Sequence, residues 1–266
     1  MNKRLLLILT LLSAVLYSCN FSGFESQETS ANTKVTNQPE AVISKGDLII
    51  SKAIKAHGGD LYDQAHYSFD FRNKHYTFHN NGSSFTYQVQ YQARKGNAIK
   101  DILANGVFAR FVNDKETILS ERDSAKHAEA LNSVIYFATL PHKLSDAAVN
   151  KVYEGTTTIK GETYEVIKIY FNEEGGGKDH DDTYYYWINS RTSTVDYLAY
   201  NYAVNGGGTR FRSYYNRRNV RGIVFQDYIN WKANKDAALA TLPQLFEKGQ
   251  LKELSRIETE NVKHHN

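Results

Sequence analysis

The chain has 266 residues, with 32 basic and 29 acidic side chains and a formal charge of +3. That near balance excludes the concentrated basic surface that nucleic-acid binding needs. A single cysteine excludes an internal disulfide and a thiolate metal site. Nineteen Tyr and thirteen Phe favour strands and exceed what one sandwich core ordinarily consumes.

The N-terminus reads as a secretory signal. Lys3 and Arg4 precede an apolar run from Leu5 to Val15, then Leu16-Tyr17-Ser18-Cys19. The run is too short to span a bilayer as a helix, and no other apolar stretch of that length follows. Lys3 and Arg4 would leave with residues 1–18, each taking one positive charge, so the mature chain nets +1. Leu16-Tyr17-Ser18-Cys19 resembles the lipobox of bacterial lipoproteins, with Tyr17 where a small residue is usual. The resemblance implies lipidation, as by palmitate, at Cys19. The plainer alternative is an ordinary signal peptide with a leftover cysteine. Each buried acyl CH₂ contributes about 0.8 kcal/mol, and two chains hold where one does not. Residues 19–45 are polar and are expected to form a tether. No acidic cluster follows Cys19, which favours an outer-membrane position facing the periplasm.

Residues 46–266 are expected to form one domain. Ser44 or Asp47 can cap a first helix carrying Leu48, Ile50, Ala53 and Ile54, with His57 in its last turn and Gly58-Gly59 as its stop. From Tyr67 the period changes to two. Tyr67, Phe69 and Phe71, then Tyr76 and Phe78, then Phe85, Tyr87, Val89 and Tyr91 alternate with polar residues. Asn81-Gly82 and Asn105-Gly106 are hairpin turn signals. Residues 107–112 and 116–119 add strands. A second helix, capped by Asp123, carries Ala128, Leu131, Val134, Ile135 and Ala138 on one stripe. It ends at Leu140-Pro141, because a residue before proline avoids the helical region. Strands resume over 152–159 and turn at Lys160-Gly161-Glu162 into a hairpin from Tyr164 to Trp187. Further strands are expected at 195–204, 209–215 and 222–231, with a polar turn at Asn216-Arg217-Arg218-Asn219. A helical patch at 236–246 precedes a last strand near 251–259. The total is about eleven strands in consecutive hairpins, which implies a barrel or sandwich.

Three groups of side chains are candidates for function. Asp179, His180, Asp181 and Asp182 crowd the glycine-rich tip of the 164–187 hairpin. Oxygen donors suit Ca²⁺ or Mg²⁺, and His with Asp suits Zn²⁺ or Mn²⁺. The same residues equally suit a solvated tip in which Asp caps backbone amides. No cofactor is otherwise implied. Arg210 and Arg212 share a strand face and suit an anionic lipid phosphate or a carboxylate. Asp196 and Asp227 on nearby strands offer structural partners for the arginines of 210–221 instead. The aromatic excess offers cavity-lining candidates in Tyr87, Tyr91, Phe111, Phe171 and Tyr186, beside Leu131 and Ile135 of the second helix. Equally, these can fill an ordinary core. No Gly-x-Ser-x-Gly, P-loop or dinucleotide fingerprint is present, so no enzyme is expected.

The Ala56-His57-Gly58-Gly59 helix end, the aromatic meander and the mid-chain helix resemble the bacterial lipoprotein-carrier superfamily of LolA, LolB and RseB. Tyr136-Phe137 with Leu140-Pro141, Gly175 to Asp182, Asp196 to Tyr200, Thr209 to Arg212 and Phe225 to Tyr228 more closely resemble a group of Bacteroidetes-type lipoproteins, DUF6503-like. The resemblance implies a mainly β (α+β) fold. It is an open antiparallel half-barrel with helices on the concave face, whose apolar cavity takes acyl chains in the carriers. It implies no catalytic residue. The expected function is a membrane-anchored envelope lipoprotein that binds a hydrophobic or amphipathic ligand or a lipoprotein, with the second helix as lid. The alternatives are a non-enzymatic sensor or scaffold for a protein partner, and a metal-dependent hydrolase at Asp179 to Asp182.

Overall fold

Short aromatic runs separated by two-residue turns set the architecture. In the computed structural model, residues 43–94, 96–174, 182–202 and 207–266 are described. They form fourteen strands. The first six are β1 (His66–Phe71), β2 (Lys74–Asn81), β3 (Ser84–Gln92), β4 (Ala98–Ala104), β5 (Val107–Val112) and β6 (Lys115–Glu116). The next six are β7 (Val149–Ile159), β8 (Glu162–Phe171), β9 (Tyr184–Asn189), β10 (Val195–Tyr202), β11 (Gly208–Val220) and β12 (Ile223–Lys232). The chain ends with β13 (Lys252–Ile257) and β14 (Glu260–His264). Three α-helices accompany them, besides short 3-10 turns: α1 (Lys45–His57), α2 (Glu121–Ala138) and α3 (Leu242–Glu247).

Hairpin turns at Arg72-Asn73, Asn105-Gly106, Asn113-Asp114, Lys160-Gly161 and Arg221-Gly222 hold both central residues at positive φ. This geometry matches the right-handed twist of the flanking strands. The result is two seven-stranded antiparallel sheets, ordered β14-β1-β2-β3-β4-β5-β6 and β13-β12-β11-β10-β9-β8-β7. The chain walks outward from β1 to β6, crosses through α2, and walks back from β7 to β12. At the end, β13 pairs with β12 and β14 pairs with β1, so this last segment is a seam between the sheets. The edges β6 and β7 do not pair with each other. The fold is therefore an open half-barrel, and α2 is the segment that links its two free edges.

Helix α1 starts at Ser44, whose Oγ accepts the Asp47 backbone N–H at 3.1 Å. Its buried face is Gly46, Ile49, Ile50, Ala53 and His57, while Leu48 is exposed. Gly46 is required by close approach, because a Cβ there would lie 2.6 Å from the Lys151 carbonyl oxygen of β7. Helix α2 is capped by Ser120, not by Asp123; the Asp123 backbone N–H donates to Ser120 Oγ at 3.1 Å. Leu131 and Ile135 are its buried positions, packed on the first sheet with Phe69, Phe78 and Leu103. The following Leu140-Pro141 peptide is cis.

The second sheet is covered on both faces. Ile167, Tyr186 and Leu198 pack with α1 on one side, while Val166, Trp187, Ala199 and Phe211 pack with Leu242 of α3 on the other. The expectation that helices lie on the concave face therefore holds for α1 and α2 and fails for α3. The strand count also exceeds the expected eleven. Strand β4 is hard to recognise because its inward positions are Ile99, Asp101 and Leu103, and the buried Asp101 breaks the apolar period. Strand β11 continues through Asn216–Asn219, the expected turn, with an irregularity between Tyr215 and Arg218 where Asn216 takes a positive φ; Arg217 and Arg218 are neutralised there by Asp196 and Asp227.

His57 is fully buried, and its Nε2 accepts the Val195 backbone N–H at 3.1 Å. It anchors α1 to β10, and its Nδ1 is buried without a hydrogen-bond partner. Burial, with the Arg217 charge as a lesser cause, lowers its pKa from 6.5 to about 3. The unfolded chain takes up a proton near pH 6.5 and the folded chain does not. Stability is thus full above about pH 6.5 and falls as pH drops toward 3, by at most about 1.4 kcal/mol per pH unit. Urea unfolding midpoints across that window will show the slope. His57→Gln, which keeps an acceptor and does not titrate, will flatten it.

Candidate ligand-binding groove

The free edges of an open barrel leave its interior to be filled by whatever links them. Helix α2 fills it only partly. Its Leu131 and Ile135 face the first sheet, while Tyr136 and Phe137 reach the cluster of the second. Space remains on both sides of this ridge. One cavity, of about 630 Å³, lies among α2, β9–β12 and the seam; a second, of about 570 Å³, lies among α2, β3, β4 and the start of β7. Ser133, Phe137 and Tyr184 border both.

The first cavity has an aromatic wall of Phe69, Phe137, Tyr184, Tyr200 and Tyr228. Burial raises the Tyr228 phenol to about 12, so it stays a neutral donor. Its charged groups are Arg72, Arg210, Arg212 and Asp182. Arg212 is 7% exposed. Its guanidinium lies 4.1 Å from the Phe137 ring centre and 5.3 Å from that of Tyr200, and Nη2 donates to the Tyr200 hydroxyl at 2.9 Å. Arg210 stacks on Tyr202 at 4.9 Å, donates to its hydroxyl, and donates to the Thr209 carbonyl at 3.0 Å.

The two arginine sets separate cleanly. Arg217 pairs with buried Asp196 at 2.6 Å and Arg218 with buried Asp227 at 3.2 Å. Asp227 Oδ1 also accepts the Thr259 backbone N–H at 2.9 Å, and Arg218 donates to the Thr259 carbonyl and hydroxyl. Thr259 lies between β13 and β14, so this cluster fixes the seam. Arg210 and Arg212 form no ion pair among the described residues.

The cavity-lining candidates divide. Tyr87 and Phe171 border the second cavity, and burial raises the Tyr87 phenol to about 12. Leu131, Ile135 and Tyr186 are buried in the core and line neither cavity. Tyr91 turns inward, but its hydroxyl meets Arg110 at 3.5 Å, beside the buried Arg110–Asp101 pair at 2.6 Å. Phe111 lies on the opposite face of β5 from Arg110, under Lys100 at 4.9 Å. Strand parity sends it away from the groove. Of the candidate ion ligands, Asp179, His180 and Asp181 lie outside the described residues, and Asp182 lies on the wall of the first cavity. Among the described residues no group of three or more His, Cys, Asp or Glu is placed to hold a metal.

Sequence reading overlooked Phe137, Tyr184, Tyr200 and Asn230 as groove residues. A signal existed for Tyr200. In the β10–β11 register it falls opposite Arg210, on the face that carries Arg212.

These features define an open antiparallel half-barrel whose interior is divided by one helix. The chain belongs to DUF6503, a family of unknown function whose model matches residues 4–259. No curated protein matches it. Among solved structures it is similar to a LolA superfamily protein from Nitrosomonas europaea, at 11% identity and TM-score 0.47, over 83% of this chain and 94% of that one. It is also similar to the lipoprotein LppX of Mycobacterium tuberculosis, at 11% identity and TM-score 0.29, over 72% and 96% of the two chains. MucB in the MucA/MucB complex of Pseudomonas aeruginosa gives 11% identity and TM-score 0.24, over 71% and 77%.

Asp196→Ala leaves Arg217 without its carboxylate and removes the acceptor of Tyr164 and Thr194. Removing one partner of such a buried pair costs about 3–5 kcal/mol, which chemical denaturation will register. Arg210→Ala, with no ion pair to break, is expected to cost about 1 kcal/mol or less.

Proposed function

We propose that this protein is a lipid-anchored envelope protein that holds an apolar or amphipathic ligand in the groove astride α2. The observation that carries the reading is the pair of adjoining cavities on either side of one helix, about 630 and 570 Å³ in volume. Each falls in the range of pockets that enclose small ligands, roughly 300–1,000 Å³. Aromatic side chains dominate the walls, and such rings bury large apolar area with few rotatable bonds. The reading assigns no bond-making chemistry to the chain. Residues 1–18 act as the signal, Cys19 carries the acyl anchor, and the tether expected over 19–45 gives way to α1 at its Ser44 cap. The domain then hangs at a membrane surface, within reach of lipids.

Native mass spectrometry of the chain extracted from its own host membranes tests the binding. A co-purifying lipid or acylated species is expected. A ligand-free chain that also takes up no lipid probe contradicts the reading, and a co-purifying protein without lipid favours a scaffold instead. The anchor is tested separately by metabolic labelling. Cys19→Ser is expected to abolish palmitate incorporation and to release the chain from the membrane fraction.

A further inference from the structure

We infer that the first cavity recognises an oxyanion head group, gripped by Arg212, and that its ligand is therefore an anionic amphiphile and not a neutral lipid. The inference rests on the ligand-binding reading above and adds the chemistry of the ligand's polar end.

Among the arginines that reach inward, Arg212 is the exception. Arg110, Arg217 and Arg218 each meet a nearly buried carboxylate, from Asp101, Asp196 and Asp227. Arg212 is itself buried, whereas those three arginines are half-buried, and it meets no carboxylate among the described residues. Its Nε is buried with no hydrogen-bond partner, and Nη2 has only the Tyr200 hydroxyl. The guanidinium plane is held by Phe137 from α2 and Tyr200 from β10, so its position is fixed by packing. A fixed fork with free N–H groups matches the two oxygens of a carboxylate or phosphate. A buried cation without a counter-charge is unfavourable, and an anionic ligand supplies that counter-charge.

A second orphan lies beside it. Asn230 is the register partner of Arg212 across β11 and β12, borders the same cavity, and its Oδ1 is buried without a partner. One unpaired donor and one unpaired acceptor on adjoining strands suit a head group with an oxyanion next to a hydroxyl or N–H. Among the described residues that border this space, Arg210 and Arg72 add positive charge and Asp182 is the one carboxylate. The aromatic wall beyond takes the chain. Both a fatty-acid carboxylate and a phospholipid phosphate share this chemistry.

The test is displacement of cis-parinarate fluorescence from the full chain in a neutral maltoside detergent. Competitors are oleate, methyl oleate, dioleoylphosphatidylglycerol and dioleoylglycerol. The wild type is expected to prefer an anionic competitor over its neutral counterpart at least tenfold. Preference within the oleate pair identifies a carboxylate head, and within the glycerolipid pair a phosphate. Arg212→Met, which replaces the charge with an apolar side chain of similar length, is expected to erase the preference while methyl oleate still binds. Arg212→Lys is expected to keep part of it. Equal binding of charged and neutral competitors by the wild type overturns the head-group assignment and leaves the cavity reading standing. An Arg212→Met variant that keeps the wild-type preference overturns it too, with water alone serving the orphan atoms. Failure of every amphiphile to bind overturns both readings. Because the wild-type comparison needs no variant, a misfolded substitution does not rescue the inference.

Discussion

Everything in this fold depends on the seam where the chain passes from one sheet to the other. Among the described residues, the two sheets of seven strands have no hydrogen-bonded ladder between them. What holds them in register is a short crossing between β13 and β14, pinned at Thr259 by Asp227 and Arg218. The β11–β12 hairpin reinforces it. Its far end extends past β10 and β13, and Ile223 and Phe225 enter the core of the first sheet, where the Tyr67 hydroxyl donates to the Val220 carbonyl at 3.1 Å. A buried ion pair contributes little net stability against an apolar replacement. Its value here is geometric, because it lets the polar stretch Asn216–Asn219 remain a strand.

With one side of the barrel fixed at the seam, the other side stays open, and α2 is the only chain that bridges it in sequence. A helix capped by Ser120 and packed on the first sheet through two fully buried residues, Leu131 and Ile135, is held firmly on one side. On the other side it meets the second sheet through Tyr136, Phe137 and an arginine stacked on Phe137. The groove thus lies between two packed sheets with a single helix as its divider.

Much of this was legible in the sequence, for physical reasons. Alternating aromatics marked β1 to β3, glycine-bearing turns marked the hairpins at 105 and 160, and the apolar stripe of α2 was plain. What stayed hidden were places where polar residues are buried. Asp101 inside β4, and Arg217 and Arg218 inside β11, look like loop residues until their partners are known. Turns at Arg72-Asn73 and Arg221-Gly222 lack the Asn-Gly signature. Arg210 and Arg212 were visible as a pair on one face, but not their separation from the paired set at 217 and 218, since pairing is a matter of register. The aromatics could not be sorted into core and cavity, because parity alone sends Phe111 outward and only packing buries Tyr186.

The measurement that bears most directly on the groove as a ligand site uses Ser133. It is exposed on α2 and borders both cavities, so a large side chain there obstructs the groove without entering the core. Ser133→Trp is expected to weaken uptake of a lipid probe at least tenfold while the unfolding midpoint stays at the wild-type value. Wild-type uptake by that variant, with the fold intact, would contradict the account.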